Sequence, residues 1–301
     1  MKASPLQDLC IIGPVSKDQI WHGDSLVQTA AGGVPTYAGL CAHALGAKVH
    51  VVTTWAEDDD AFFQKTFATS DISLIRHPSA ETTTFDLRYA DAHASHRDMS
   101  CSALGASIKS ATWSDTPSRC AYFAPLMKND IAPSLIQEAA RHHSVALDAQ
   151  GYVRDIQDGH VIPHIWQDMD DTLPSVRFLK VSAEEASLLT GQSDPEDAAR
   201  ALLAKGAQEI ILTQDDCGAI IYNAHHTFDI PAYDPGEIVD TTGCGDTFFA
   251  AYLVHRLKSS HLRDAGMFAA AVAAMKIRHW GPSLATWDDV MIFQKMSAEM
   301  P

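Results

Sequence analysis

Short, nearly unbroken apolar runs alternate with longer stretches of helical period along this chain. The runs are LCIIG (9–13), VHVVTT (49–54), AYFA (121–124), SVALD (144–148), VRFLKV (176–181), EIILT (209–213) and GAIIY (218–222). A run without polar alternation suits a strand covered on both faces. Between them lie helical patterns at 35–45, 57–68 and 130–143, through AEEASLLT, and through DPEDAARALLAKG. The last of these has Asp194 as N-cap and Pro195 in the first turn. The C-terminal third reads as helices over 244–257, about 263–279 and 286–297. The rhythm predicts an α/β fold: three layers, doubly wound, a mostly parallel sheet with helices on both faces. No composition shift marks a boundary, so residues 1–301 are expected to form a single domain. Residues 14–31 and 82–100 break the rhythm, being polar with interleaved β-branched and aromatic residues. They read either as surface loops or an edge hairpin, or as a small β lid over a pocket.

Apolar residues make up 46% of the 301, enough for a sizeable core. The formal net charge of −16 argues against nucleic acid or an anionic membrane surface as the main partner. It leaves open a small anion held by local donors. No run approaches a signal peptide or a membrane span, and the six cysteines are scattered without a CxxC pair. A cytoplasmic protein with reduced core thiols is expected. The 15 histidines include His93-x-x-His96, His142-His143 and His225-His226. Adjacent pairs do not share a face and the first pair lacks a third ligand nearby, so they read as surface residues rather than a metal-hydrolase centre. A dinucleotide-binding fold is disfavoured because no GxGxxG follows the first strand.

The segment EIVDTTGCGDTFFAAYLVHRL (237–257) carries the chemistry. Ile238 and Val239 read as the end of an extended segment. Gly243-Cys244-Gly245 permits a tight turn and close approach of backbone to a ligand. The apolar helix that follows presents unpaired amides, an arrangement suited to phosphate. Asp246, in its first turn, is either a plain N-terminal carboxylate or a base beside an anion hole.

DTTGCGD resembles the C-terminal DTxGxGD signature of the ribokinase-like PfkB carbohydrate kinases, with every fixed position present. The resemblance implies a ribokinase-like fold and ATP-dependent phosphorylation of a hydroxyl. It makes Asp246 the catalytic base and gives the amides of Gly243, Cys244 and Gly245 the transferring phosphoryl group. Gly32-Gly33, with Leu45-Gly46 at the end of the next helix, resembles the family's acceptor-side glycine pair, although Tyr37 stands where an Asn is common. Asp18 matches an Asp that binds substrate hydroxyls. Glu185 matches the Glu of an NxxE motif that organises Mg2+ through water, with Ser182 in place of the Asn. Thr213 and Gly218 match TxGxxG on the nucleotide side, but its middle Gly is Asp215 here. With Gly243 and Gly245 they are the ATP-side residues. The resemblance also implies a K+ site formed by Asp240 and the Thr242 carbonyl, with backbone near Gly281.

LDAQGYVR (147–154) and GGVPTY resemble a subgroup that includes myo-inositol kinases and some nucleoside kinases. Gln150 and Arg154 then reach toward acceptor or lid; the plainer reading is a structural turn at Gly151 with Arg154 on the surface. A sugar or polyol acceptor is expected, with myo-inositol as the specific guess. A nucleoside kinase on the same scaffold and a sugar-sensing pseudokinase are the alternatives. The expected assembly is a monomer or homodimer.

Overall fold

The computed structural model describes residues 6–89, 97–111 and 117–299. In chain order the elements are β1 (Gln7–Ile12), β2 (Ser16–His22), β3 (Ser25–Gly32), α1 (Val34–Ala44), β4 (Val49–Ala56), α2 (Asp60–Phe67), β5 (Ser73–Ser79), β6 (Thr83–Tyr89), β7 (Arg97–Ala103) and β8 (Ser118–Phe123). Next come α3 (Pro133–Ala139), β9 (Ser144–Asp148), β10 (Arg154–Gln157), β11 (His160–Pro163), α4 (Met169–Thr172), β12 (Phe178–Ser182), α5 (Ala183–Thr190) and α6 (Pro195–Ala204). The chain ends with β13 (Glu209–Thr213), β14 (Ala219–Asn223), β15 (Thr227–Ile230), α7 (Cys244–Lys258), α8 (Leu262–Ile277) and α9 (Trp287–Glu299).

Nine strands form the main sheet in the order β15-β14-β13-β12-β9-β8-β1-β4-β5. It is parallel except where β14 and β15 run antiparallel at one edge. The apolar runs are central strands buried on both faces. Leu9 and Ile11 of β1 enter a core with α1, α7 and α8, while Cys10 and Ile12 enter the opposite core with α3 and α6. The predicted three-layer, mostly parallel architecture is what the chain adopts.

A second sheet of six strands has the order β10-β11-β7-β6-β2-β3. It contains both segments that broke the sequence rhythm, so these are strands rather than loops; residues 90–96 of the second lie outside the described residues. The hairpin β10–β11 was not expected. Its turn is Asp158-Gly159, at φ 52° and 83°, the left-handed pair that a two-residue hairpin requires.

Three local expectations change. The helix expected over 130–143 is only Pro133–Ala139. Asp130 instead turns inward, accepting from the amides of Leu126 and Met127, each at 2.8 Å. Burial pushes its carboxyl up to about 6 against those bonds. Ile238 and Val239 end no strand: residues 231–242 are irregular, and the amides of Val239 and Asp240 donate to the Ile277 carbonyl at the end of α8. The thiols of Cys10, Cys41, Cys101 and Cys120 are buried and free as expected, but Cys217 is exposed and Cys244 half-buried. Among the described residues no helix is long and apolar enough to cross a membrane.

Candidate active site

The C-terminal ends of the parallel strands, where a doubly wound sheet gathers its ligands, meet the N-terminus of α7 and the inner face of the six-stranded sheet. Gly243 caps α7 at φ 70°, and a side chain there would overlap the ring of Tyr37. Only glycine both adopts that φ easily and lets the aromatic ring approach. The first α-helical bond runs from Thr247 N to Gly243 O at 2.9 Å. The amides of Gly245 and Asp246 therefore precede the helical ladder, as the first N–H groups of any helix do. The amide of Cys244 turns back to Thr241 O at 3.2 Å, so it is committed to the turn rather than to a ligand. Burial pushes the Cys244 thiol up to about 11, which keeps it protonated and non-nucleophilic.

Two cavities meet at this point. One, of about 180 Å³, is lined by Asp18, Gly33, Tyr37, Gln150, Arg154, Lys180 and residues 241–246, with Phe85, Leu87 and Met99 of the second sheet and Leu126 as its apolar side. The other, of about 680 Å³, is lined by Thr213, Asp215, Ser182, Glu184, Glu185 and Leu188, and by Val161, Ile162 and Pro163 of β11. Gln150, Arg154, Lys180 and Gly245 line both, forming the wall between them. Asp246 lies on the smaller side of that wall.

The electrostatics of the wall suit proton transfer. Burial, with help from the charges of Asp148 and Asp18, pushes the Asp246 carboxyl up to about 6, against the restraint of Lys180 and Arg154. Lys180 and Asp148 are register partners on β12 and β9. Their side chains form a buried pair, Nζ to Oδ2 at 3.0 Å, with Asp148 Oδ1 also accepting from Gln150 N at 3.0 Å. Burial alone would lower the Lys180 ammonium, but Asp148, Glu185 and Asp246 outweigh it and hold it above the ordinary lysine range. Its Nζ lies 3.5 Å from where a Gly245 side chain would begin. A fixed cation thus sits beside the free amides of α7. Sequence reasoning missed both members of this pair. The available signal was a lysine inside the apolar strand FLKVS and an aspartate ending SVALD.

Other expected residues fall into place unevenly. Asp18 is buried, accepts from Ser16 Oγ at 2.7 Å, and rests against the Cα of Gly32, where any side chain would strike it. Glu185 lines the large cavity, yet its Oε2 closes a capping box on the Ser182 amide at 2.8 Å. Thr213 lines the same cavity, whereas Gly218 does not; a side chain there would strike the Ile230 carbonyl, so it serves the turn. Asp240 is buried with Lys276, whose Nζ donates to Asp240 Oδ2 and to Asp240 O, each at 2.7 Å. Its Oδ1 accepts from Thr242 N at 2.9 Å. His142, His225 and His226 are exposed. His143 is half-buried and contacts Ser118 O at 2.8 Å, a correction to its reading as a surface residue. His93 and His96 lie outside the described residues. No group of three His, Cys, Asp or Glu is placed to hold a metal among the described residues.

Comparison with known proteins bears on this arrangement. The pfkB family carbohydrate kinase profile matches residues 11–289, nearly the whole chain. The chain belongs to the pfkB family of carbohydrate kinases. It is therefore a phosphotransferase acting on a hydroxyl acceptor, a sugar or nucleoside kinase in the broad sense. It is 24% identical to a cytidine kinase of Thermococcus kodakarensis, over 91% of this chain and 97% of that one. It is also 24% identical to an inositol 3-kinase of Zea mays, over 94% and 76% respectively. Among solved structures, a pyrophosphate-dependent kinase of the ribokinase family, complexed with a pyrophosphate analog and myo-inositol, superposes with a TM-score of 0.81. That match is 25% identical and covers 91% of this chain and 97% of the other. As a pfkB kinase, the chain keeps the expected ribokinase-like fold.

Proposed function

We propose that this pfkB kinase transfers the γ-phosphoryl group of ATP to a hydroxyl of a compact polyol, myo-inositol being the specific candidate, with Asp246 as general base. The observation that carries the proposal is the raised Asp246 carboxyl, at about 6, on the wall between a small polar cavity and a large one. A base is most useful when its pKa lies near the working pH.

The acceptor occupies the smaller cavity. Asp18 accepts from its hydroxyls, and Gln150 and Arg154, which line the same cavity, bind it as well. The reacting hydroxyl faces Asp246, which takes its proton as the oxygen bonds to phosphorus and the bond from phosphorus to the leaving β-phosphate oxygen breaks. The amides of Gly245 and Asp246 and the Lys180 ammonium face the transferring group and stabilise its charge. The second sheet, through β6, β7 and β11, covers both cavities and excludes water. Glu184, Glu185 and Asp215 line the donor side, an all-oxygen set suited to a hard cation that keeps most of its waters. They are not grouped to ligate a metal directly, so Mg2+ would keep its waters and meet Glu185 through them, where it would supply neutralisation of donor phosphate charge.

Two observations favour specific competitors. The apolar lining of Phe85, Leu87 and Met99 would suit a nucleobase, and a cytidine kinase is among the relatives. Lys180 and Arg154 facing the donor side would suit pyrophosphate, the donor of the similar solved kinase. Turnover across inositols, hexoses and nucleosides, each with ATP and with pyrophosphate, tests all of these. The proposal predicts the highest kcat/KM for a polyol with ATP. Preference for a nucleoside or for pyrophosphate would replace that part of it.

A further inference from the structure

The family resemblance led us to expect a K+ ion at Asp240 and Thr242, and the residues there do not fit one. The Asp240 oxygens that such an ion would take are already engaged. Lys276 Nζ donates to Asp240 O and Asp240 Oδ2, both at 2.7 Å. Thr242 N takes Asp240 Oδ1 at 2.9 Å, and Gly281 N approaches Oδ2 at 3.3 Å. Lys276 is 1% exposed, so its charge has no water to face. A second cation placed among these groups would meet the ammonium at contact distance in a dry site, where like charges repel strongly.

We propose that the Lys276 ammonium is a built-in replacement for the monovalent cation, and that it positions the turn from which Asp246 and the phosphate-facing amides project. The proposal rests on the kinase reading above and adds to it a positioning residue outside the resemblance.

The connections run in one direction. Lys276 is in the last turn of α8, where the helix dipole favours a cation. The next carbonyl, Ile277 O, accepts from Val239 N at 2.9 Å and Asp240 N at 3.1 Å. Val239 and Asp240 are thus held to the end of α8 by four bonds, one from each backbone amide and two from the ammonium to Asp240. Three residues later Gly243 opens α7. The same ammonium lies 5.7 Å from the ring centroid of Tyr37, and that ring packs against Gly243 and lines the acceptor cavity. One cation therefore braces the turn from below and the acceptor-side aromatic from the side. A tethered ammonium offers three donors and stays bound at any salt composition. A neighbouring cavity of about 220 Å³ is lined by Tyr37, Asp240, Thr242 and Gly281, so a small ion has a route toward Asp240 once the lysine is shortened.

The test compares wild type with Lys276→Ala and Lys276→Met in potassium and in tetramethylammonium chloride at equal ionic strength. Thermal melting and kcat/KM are read for each. Wild type should show the same Tm and the same kcat/KM in both salts. Lys276→Ala should melt lower by roughly 5–10 °C, because a buried carboxylate loses its partner. It should also lose roughly 10–10²-fold in kcat/KM, the order expected for a displaced catalytic group. Potassium, and not tetramethylammonium, should restore part of both losses. Lys276→Met, which fills the space, should show the losses with less recovery. Stimulation or stabilisation of wild type by potassium would overturn the proposal. So would an alanine variant that is fully active without potassium, or one whose losses potassium does not touch. If neither variant folds, the wild-type comparison decides alone. If no acceptor is turned over, the kinase reading fails while the melting data still decide the role of Lys276.

Discussion

Asp246, the proposed base, sits in an unfavourable position. A carboxylate two residues into α7 would ordinarily be stabilised by the helix dipole. Here burial and the neighbouring carboxylates of Asp148 and Asp18 overcome that, and the carboxyl rises to about 6 despite Lys180 and Arg154. Only the ionised form accepts a proton. kcat/KM should therefore rise with pH through about 6, falling about tenfold per unit below it, and level above. A profile measured in overlapping buffers checks this; one that is flat from about pH 5 to 8 would show that Asp246 is not the group that titrates. The residues that tune it were the least legible in the sequence. Asp246 and its glycines form a contiguous motif, readable as a turn feeding a helix. Asp148 and Lys180 lie 32 residues apart and meet only because β9 and β12 are neighbours in the sheet. Lys276 was hidden in the same way, within an apolar helix whose partner is a loop 36 residues earlier.

At the scale of elements, central strands were legible because burial on both faces leaves continuous apolar runs. Helix starts with polar caps were legible as well: Asp194 accepts from the amides of Glu196 and Asp197, as a cap should. The strands of the second sheet were harder. They are mixed in polarity and partly parallel, so the alternation that marks a half-buried strand is weak in them. The β10–β11 hairpin did carry a sign, the Asp158-Gly159 pair between RDIQ and HVIP, which the stronger motifs around it obscured. Gly151, suspected as a structural turn, is one: a side chain there would overlap the backbone carbonyl of Pro125, and backbone cannot swing aside. Gly151→Ala should cost about 2–3 kcal/mol through overpacking. That lowers Tm by roughly 5 °C and also weakens turnover, because Gln150 and Arg154 flank it. An unchanged Tm by thermal melting would show that the 149–153 segment shifts freely.

Taken whole, the molecule sets a net charge of −16 against a substrate that is itself a polyanion. The answer is local. Lys180, Arg154 and the first amides of α7 converge on the wall between the cavities, and strands of the second sheet line both cavities beside them. The same enclosure leaves Asp246 costly to the fold. Because its folded pKa lies above the unfolded value near 4, the native state favours the protonated form. The stability present below pH 4 is lost as pH rises through about 6. Removing the charge should return that stability while removing the base. The most direct measurement is therefore kcat and Tm of Asp246→Asn beside wild type near pH 8, with the best acceptor from the substrate panel. The account predicts a Tm equal to wild type or a few degrees higher, and a kcat lower by roughly 10²–10⁴-fold. A variant with near-normal kcat and intact fold would contradict it.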